Sequence, residues 1–93
     1  MHIEAILFKD SDCGNCKLVQ SEFFNNPPKC DIKICHAKHE SSIELIKHYN
    51  ISSFPTVILA DLDANKEVYR FVGFIDSKTI DNKIKEYESK SLV

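Results

Sequence analysis

The apolar positions fall into short blocks, and their spacing predicts the elements. Ile3 to Phe8 is almost continuously apolar, broken only by Glu4, as expected of a strand covered on both faces. Polar Lys9-Asp10-Ser11-Asp12 follows. From Cys16 to about Phe24, Leu18, Val19, Phe23 and Phe24 recur at helical spacing. Asn25-Asn26-Pro27-Pro28 ends that helix, since proline cannot continue it and restricts the residue before it. Asp31 to His36 predicts a second strand, with Ile32 and Ile34 on one face.

Ser41 and Glu44 have the spacing of a capping box, with Ser41 at the cap. The helix it opens turns Ile43 and Ile46 inward, with Leu45 and Tyr49 beside them, and Asn50 closes it in a left-handed conformation. Ser52-Ser53-Phe54-Pro55 is a loop. Thr56 to Ala60 is a third strand, rich in β-branched residues. Asp61 to Lys66 is a turn, Glu67 to Val72 a fourth strand, and Gly73 breaks it. The last helix takes Asp76 as cap and Ile75 with Ile80 as its staple. Ile80, Ile84 and Tyr87 share one face of it, and Ser89 to Val93 is expected to fray.

The order is βαβαββα. A helix between the first two strands makes them parallel, with a right-handed crossover. The last two strands form a hairpin, giving an α/β fold: a four-stranded mixed sheet flanked by three helices. The length of 93 residues fits a single domain, 1–93.

Composition narrows the function. The chain is 43% hydrophobic and 28% charged, the balance of an ordinary soluble protein. Net charge is −2 and no basic run occurs, which argues against nucleic acid as a partner. No apolar stretch nears the roughly 18 residues that span a bilayer, so no membrane partner is expected. The first residues lack the basic start and long apolar run of a signal peptide, and a cytoplasmic location is the expectation. Four cysteines in a reducing compartment point to chemistry or metal rather than to a disulfide framework.

Cys13-Gly14-Asn15-Cys16 lies between a buried strand and a helix. At a helix N-terminus the free N–H groups and the macrodipole favour negative charge, so a thiolate there is stabilised. Two intervening residues set Cys16 one turn behind Cys13, close enough for a disulfide. Attack by one thiolate and resolution by the other is the chemistry this supports. Cys13, before the helix, is the expected nucleophile. Cys16, inside the first turn and more buried, is the expected resolving thiol. Gly14 lets a substrate approach the sulfur. The competing reading is half of a zinc site, for which Cys30, Cys35, His36 and His39 supply further ligand types; the strand–helix context favours redox chemistry and no metal.

These residues resemble the thioredoxin superfamily. The match rests on CGNC at 13–16 after the first strand, Phe54-Pro55-Thr56 before the third, and Gly73 before the last helix; Tyr49-Asn50-Ile51 is similar to the stretch leading into the family's proline loop. The similarity runs from about Ile3 to Tyr87. The N-terminal strand and helix of full thioredoxins have no counterpart in it, which implies a compact, glutaredoxin-like core. The resemblance implies a monomeric protein-disulfide reductase that needs no cofactor. Its partners would be a disulfide-containing substrate protein and an electron donor, either a reductase or glutathione. It also implies that Pro55 is cis, although an X-Pro bond taken alone is expected trans, and that the Phe54 backbone is free to pair with an extended substrate segment.

Departures from the family pattern bear on the site. Asp12 stands where thioredoxins have tryptophan; its carboxylate opposes a thiolate at Cys13, and Lys9 would offset it. Asn15 replaces the usual proline. Leu7 falls on the family's buried acid, so proton transfer at Cys16 must use another group or water. His36 falls on a strand lysine near that acid, where a solvated or hydrogen-bonded histidine is favoured over a proton shuttle. A glutathione-dependent glutaredoxin is the nearest alternative, but Gly73 is followed by Phe74 rather than a second glycine, and Asp76 is explained by capping. A metal-binding or redox-inert adaptor module on the same fold is the alternative from another class.

Cys35 is expected to pack as a small hydrophobe. Cys30 is expected to be exposed and open to oxidation, with no Cys30–Cys35 bridge. Asp61-Leu62-Asp63-Ala64-Asn65 resembles the start of a calcium loop but lacks the required glycine at Lys66 and acid at Val72, so a polar hairpin turn is preferred. Phe54 and Phe74 are placed near the dithiol as an apolar rim. His2, His39 and His48 are expected on the surface.

Overall fold

β1 (Ile3–Lys9) sorts the molecule into layers. Its Ile3, Ala5 and Leu7 point into one core cluster, and Ile6 and Phe8 into another on the opposite face, as strand periodicity dictates. The computed structural model describes residues 2–91. After β1 come α1 (Gly14–Asn25), β2 (Asp31–His36), α2 (Glu40–His48), β3 (Thr56–Asp61), β4 (Lys66–Val72) and α3 (Ser77–Ser91). This is the βαβαββα order expected from the sequence.

The sheet order is β2-β1-β3-β4. β1 and β2 are parallel, while β1–β3 and β3–β4 are antiparallel. β1 and β3 are the central strands, and β3 is buried at every position. Val19 and Phe23 of α1 and Ile80 and Ile84 of α3 join one cluster with Val57 and Leu59. Leu45, Ile46 and Tyr49 at α2 pack on the other with Ile58 and Cys35. So α1 and α3 cover one face and α2 the other.

The two covering helices are tied together. Glu22, on α1, accepts the backbone N–H of Ser77 at the start of α3 at 2.8 Å. Asp76 caps α3, its carboxylate accepting the Thr79 N–H at 2.8 Å. Asn50 has φ 52° and closes α2 as expected, with Ile51 N–H donating to Ile46 C=O at 3.0 Å.

Several expectations need correction. α1 begins at Gly14 with Cys13 as its cap, not at Cys16. Leu18 and Phe24 are 57% and 87% exposed, because the face of α1 that meets the sheet holds Cys16, Val19 and Phe23 and is no wider. The capping box at Ser41 and Glu44 does not form. α2 starts earlier, at Glu40, with His39 as cap and no side-chain hydrogen bond there among the described residues. A turn beginning at His36 starts the helix, with His39 N–H on His36 C=O and Ser42 N–H on His39 C=O, both at 3.0 Å. This puts Ser42 inside and leaves Ile43 on the outer face. Ser89 to Ser91 continue α3 rather than fray; Leu92 and Val93, named with them, lie outside the described residues.

Candidate active site around Cys13 and Cys16

β1 ends at Lys9, and the polar loop after it delivers Cys13 to the N-terminus of α1. Cys13 has extended backbone, with φ −130° and ψ 105°, which aims its side chain back over the first turn as a cap residue's does. Its Sγ accepts the N–H of Cys16 at 3.1 Å, and its carbonyl accepts Lys17 N–H at 3.3 Å. Cys13 and Cys16 are joined as a disulfide with Cα atoms 5.2 Å apart, inside the span such a bridge covers. Cys13 is half-buried, whereas Cys16 is 2% exposed. One sulfur of the pair thus faces solvent and the other faces the core.

A second loop leaves the sheet at the same end as the first. Phe8 pairs with Thr56, so the residue before Thr56, Pro55, comes level with the end of β1. The Phe54–Pro55 bond is cis. Thr56 Oγ1 donates to Ser53 C=O at 2.8 Å and closes the loop on itself. Gly73 N–H donates to Pro55 C=O at 2.9 Å, which draws in the end of β4. Gly73 has φ 92°, a conformation that side chains disfavour. Phe54 is half-buried on the α2-side cluster, and Phe74 is 51% exposed. The Gly73–Pro55 hydrogen bond thus ties the end of β4 to the proline loop, with Phe54 and Phe74 as the sequence neighbours of the two bonded residues. Gly14, Asn15 and Asp12 are all exposed around the dithiol, and a Cβ at Gly14 would meet nothing within 4 Å.

Lys9 does not serve Asp12. Its Nζ donates to Gln20 Oε1 at 2.5 Å, along α1 and away from the loop. Leu7, on the position of the family's buried acid, is fully buried. His36 pairs in register with Lys9, its Nδ1 accepts Lys38 N–H at 3.1 Å, and its Nε2 lies 3.3 Å from Ser11 Oγ. It is a hydrogen-bonded histidine at the rim of the dithiol loop. His39 stacks on it with ring centroids 5.3 Å apart, a contact the sequence did not suggest. His2, also on the surface, meets Asp31 at 2.5 Å.

Cys30 and Cys35 are free thiols. Cys35 is buried in the α2-side core, and burial pushes its pKa up. Cys30 is not exposed as expected: it packs half-buried against the other cluster, and burial pushes its thiol up to about 11. Among the described residues no group of histidine, cysteine and acidic side chains converges as a metal site. Asp61, in the segment resembling a calcium loop, is turned to structural use. It accepts Asp63 and Ala64 N–H at 3.1 Å each and the Tyr87 hydroxyl at 2.8 Å. Nor is any described helix long and apolar enough to cross a membrane.

Residues 4–88 match the family model for a thioredoxin-like domain. Solved structures with the same fold include thioredoxin 1 from Thermosipho africanus, with TM-score 0.67 and 22% identity over 97% of this chain and 99% of that one. A thioredoxin from Trypanosoma brucei brucei gives TM-score 0.74 and 18% identity over 95% and 76%. A thioredoxin-like protein from Clostridium perfringens gives 0.74 and 21% over 91% and 70%. No curated protein matches the chain.

Proposed function

The chain belongs to the thioredoxin-like domain family, and on that footing we propose that it is a thiol–disulfide oxidoreductase that reduces protein disulfides through Cys13 and Cys16. The observation that carries this is the asymmetric pair at the start of α1, one sulfur half-exposed and holding a helix N–H, the other buried one turn behind.

In the reduced enzyme the Cys13 thiolate attacks one sulfur of a substrate disulfide. A mixed disulfide forms and the other substrate sulfur leaves as a thiolate. Cys16, having given up its proton, then attacks Cys13 Sγ. The Cys13–Cys16 bond forms, the mixed disulfide breaks, and the second substrate thiol is released. Two electrons pass from the enzyme dithiol to the substrate. A dithiol reductase or two glutathione molecules return them. Helix N–H groups at Cys13 favour the thiolate both as attacker and as the group displaced on recharging. Gly14 and Asn15 leave the sulfur accessible and Asp12 flanks it. The Phe54–Pro55 loop and Gly73 with Phe74 offer backbone and apolar surface to an extended substrate segment. With Leu7 at the position of the family's acid, the proton of Cys16 passes to another group or to water. This chemistry belongs in a reducing compartment.

Equilibration of the chain in defined glutathione buffers, read by alkylation and mass spectrometry, tests the reading. One reversible intramolecular disulfide between Cys13 and Cys16 is expected, with Cys30 and Cys35 free throughout. Cys16→Ser should accumulate a mixed disulfide at Cys13 with a substrate protein. A pair that never cycles, or that is shielded by bound metal, would overturn the assignment in favour of a metal-binding module.

A further inference from the structure

β2 is one of the two edges of the sheet, so along one side of its backbone no strand follows among the described residues. An edge strand is a template for pairing unless charge, a bulge or a cover blunts it. The other edge, β4, is blunted. It carries Lys66, Glu67 and Arg70, the last two paired at 2.8 Å, and its register with β3 shifts between Leu59 and Ala60. β2 instead runs in unbroken register with β1 from Asp31 to His36. On its α1 side Ile32 and Ile34 are 36% and 45% exposed. With Phe24 of α1 they line an open groove of about 530 Å³. Apolar side chains beside unpaired backbone fit another strand better than they fit water.

We propose that two copies of this chain pair antiparallel through β2, about a two-fold axis at Ile32, to form one continuous eight-stranded sheet. The charges on the strand select the occupant and the register. A two-fold axis normal to the sheet keeps each side chain on its own face, so it must pass through a residue. With the axis at Ile32, each Asp31 faces the partner's Lys33, Ile32 faces Ile32, and Ile34 faces Cys30. With the axis at Lys33, two ammonium groups meet, and like charges directly opposed are unfavourable. With the axis at Ile34, Lys33 faces the buried Cys35. The sequence Asp31-Ile32-Lys33 is thus complementary to itself in one register alone of the three. Asp31 also meets His2, a contact on its own chain. In the paired form both copies' Ile32 and Phe24 lie on the same face, and the two grooves run together. β1 and β3 separate β2 from β4, and β3 follows Pro55 directly. The Phe54–Pro55 loop therefore lies outside the paired edge, and pairing does not depend on the redox reading. The monomer expected from the family resemblance is then the dilute form.

Sedimentation of the reduced chain from low micromolar to millimolar concentration tests this, with excess thiol to exclude cross-linking through Cys30. A monomer–dimer equilibrium is expected, and Ile32→Lys should abolish it while circular dichroism remains that of the folded chain. Asp31→Lys and Lys33→Asp should each weaken self-association about tenfold or more, because each sets like charges opposite one another. Mixed together, those two variants should recover dimer, and native mass spectrometry should find it as the heterodimer. A wild-type chain that stays monomeric throughout overturns the proposal. So does a dimer indifferent to Ile32→Lys, or a mixture of charge variants that fails to associate.

Discussion

Cys13 Sγ accepts the backbone N–H of Cys16 at 3.1 Å, so the half-exposed sulfur of the pair stands at the positive end of the α1 dipole. Cys30, by contrast, has its thiol pushed up to about 11 by burial. Only thiolates alkylate readily. In the reduced chain at neutral pH, iodoacetamide should therefore label Cys13 at least about tenfold faster than Cys30. Peptide mass spectrometry over a time course reads the ratio, and equal rates would count against a stabilised thiolate at Cys13.

Gly73 holds φ 92° while its N–H reaches Pro55 C=O at 2.9 Å. A Cβ there would meet nothing within 4 Å, so Gly73→Ala tests backbone conformation rather than space. Destabilisation of about 1–2 kcal/mol is expected, read as a lower denaturant midpoint with an unchanged slope. A neutral effect would mean that the loop readily adopts another path.

Phe23 and Phe24 are neighbours in sequence with opposite fates, 4% and 87% exposed. Phe23→Ala should cost about 3–5 kcal/mol, since it removes a ring from the packed core. Phe24→Ala should stay within about 0.5 kcal/mol of wild type when measured on dilute protein. Urea unfolding of the two variants side by side makes the comparison. Equal losses would mean that the face of α1 has been misassigned.

The Asp61 carboxyl is held below its ordinary pKa, first by the Tyr87 hydroxyl and then by the Ala64 and Asp63 N–H groups. A folded pKa below the unfolded one contributes stability at every pH above the unfolded value, about 3.9. That contribution is lost as pH falls through the folded value. Glu67, held down by Arg70, and Asp76, held down by Thr79, shift in the same direction. Tm should therefore fall with acidification below about pH 4. Asp61→Asn should lower Tm at neutral pH and make the acid fall shallower, as scanning calorimetry across pH would show. An unchanged acid slope would remove Asp61 from the account.

The sequence made legible whatever local chemistry decides. Asn50 takes the left-handed conformation expected of it, Asp76 caps α3, and the βαβαββα order follows from runs of apolar residues. Long-range packing was less legible. Ser41 and Glu44 have capping-box spacing, yet backbone hydrogen bonds from the turn at His36 begin α2 before them. Leu18 and Phe24 fit a helical stripe that the sheet is not wide enough to cover. At the site, the dithiol and the proline loop were readable from their motifs. The Gly73–Pro55 bond joins segments distant in sequence, and the commitment of Lys9 to Gln20 depends on how α1 lies over β1. Neither leaves a local pattern.

Cys13 is both the cap of α1 and, in the proposed reaction, the atom that changes its bonding on every turnover. Serine or aspartate at such a position is a passive fixture of its helix. Here the fixture is a reagent, and folding and electron transfer share one thermodynamic cycle. Whatever the Cys16 N–H gives to a Cys13 thiolate beyond what it gives to a bridged sulfur appears twice: as resistance of the reduced chain to unfolding, and as reluctance of the folded dithiol to close. Calorimetry of the two redox forms would in that sense measure how far folding shifts the tendency of the Cys13–Cys16 pair to close.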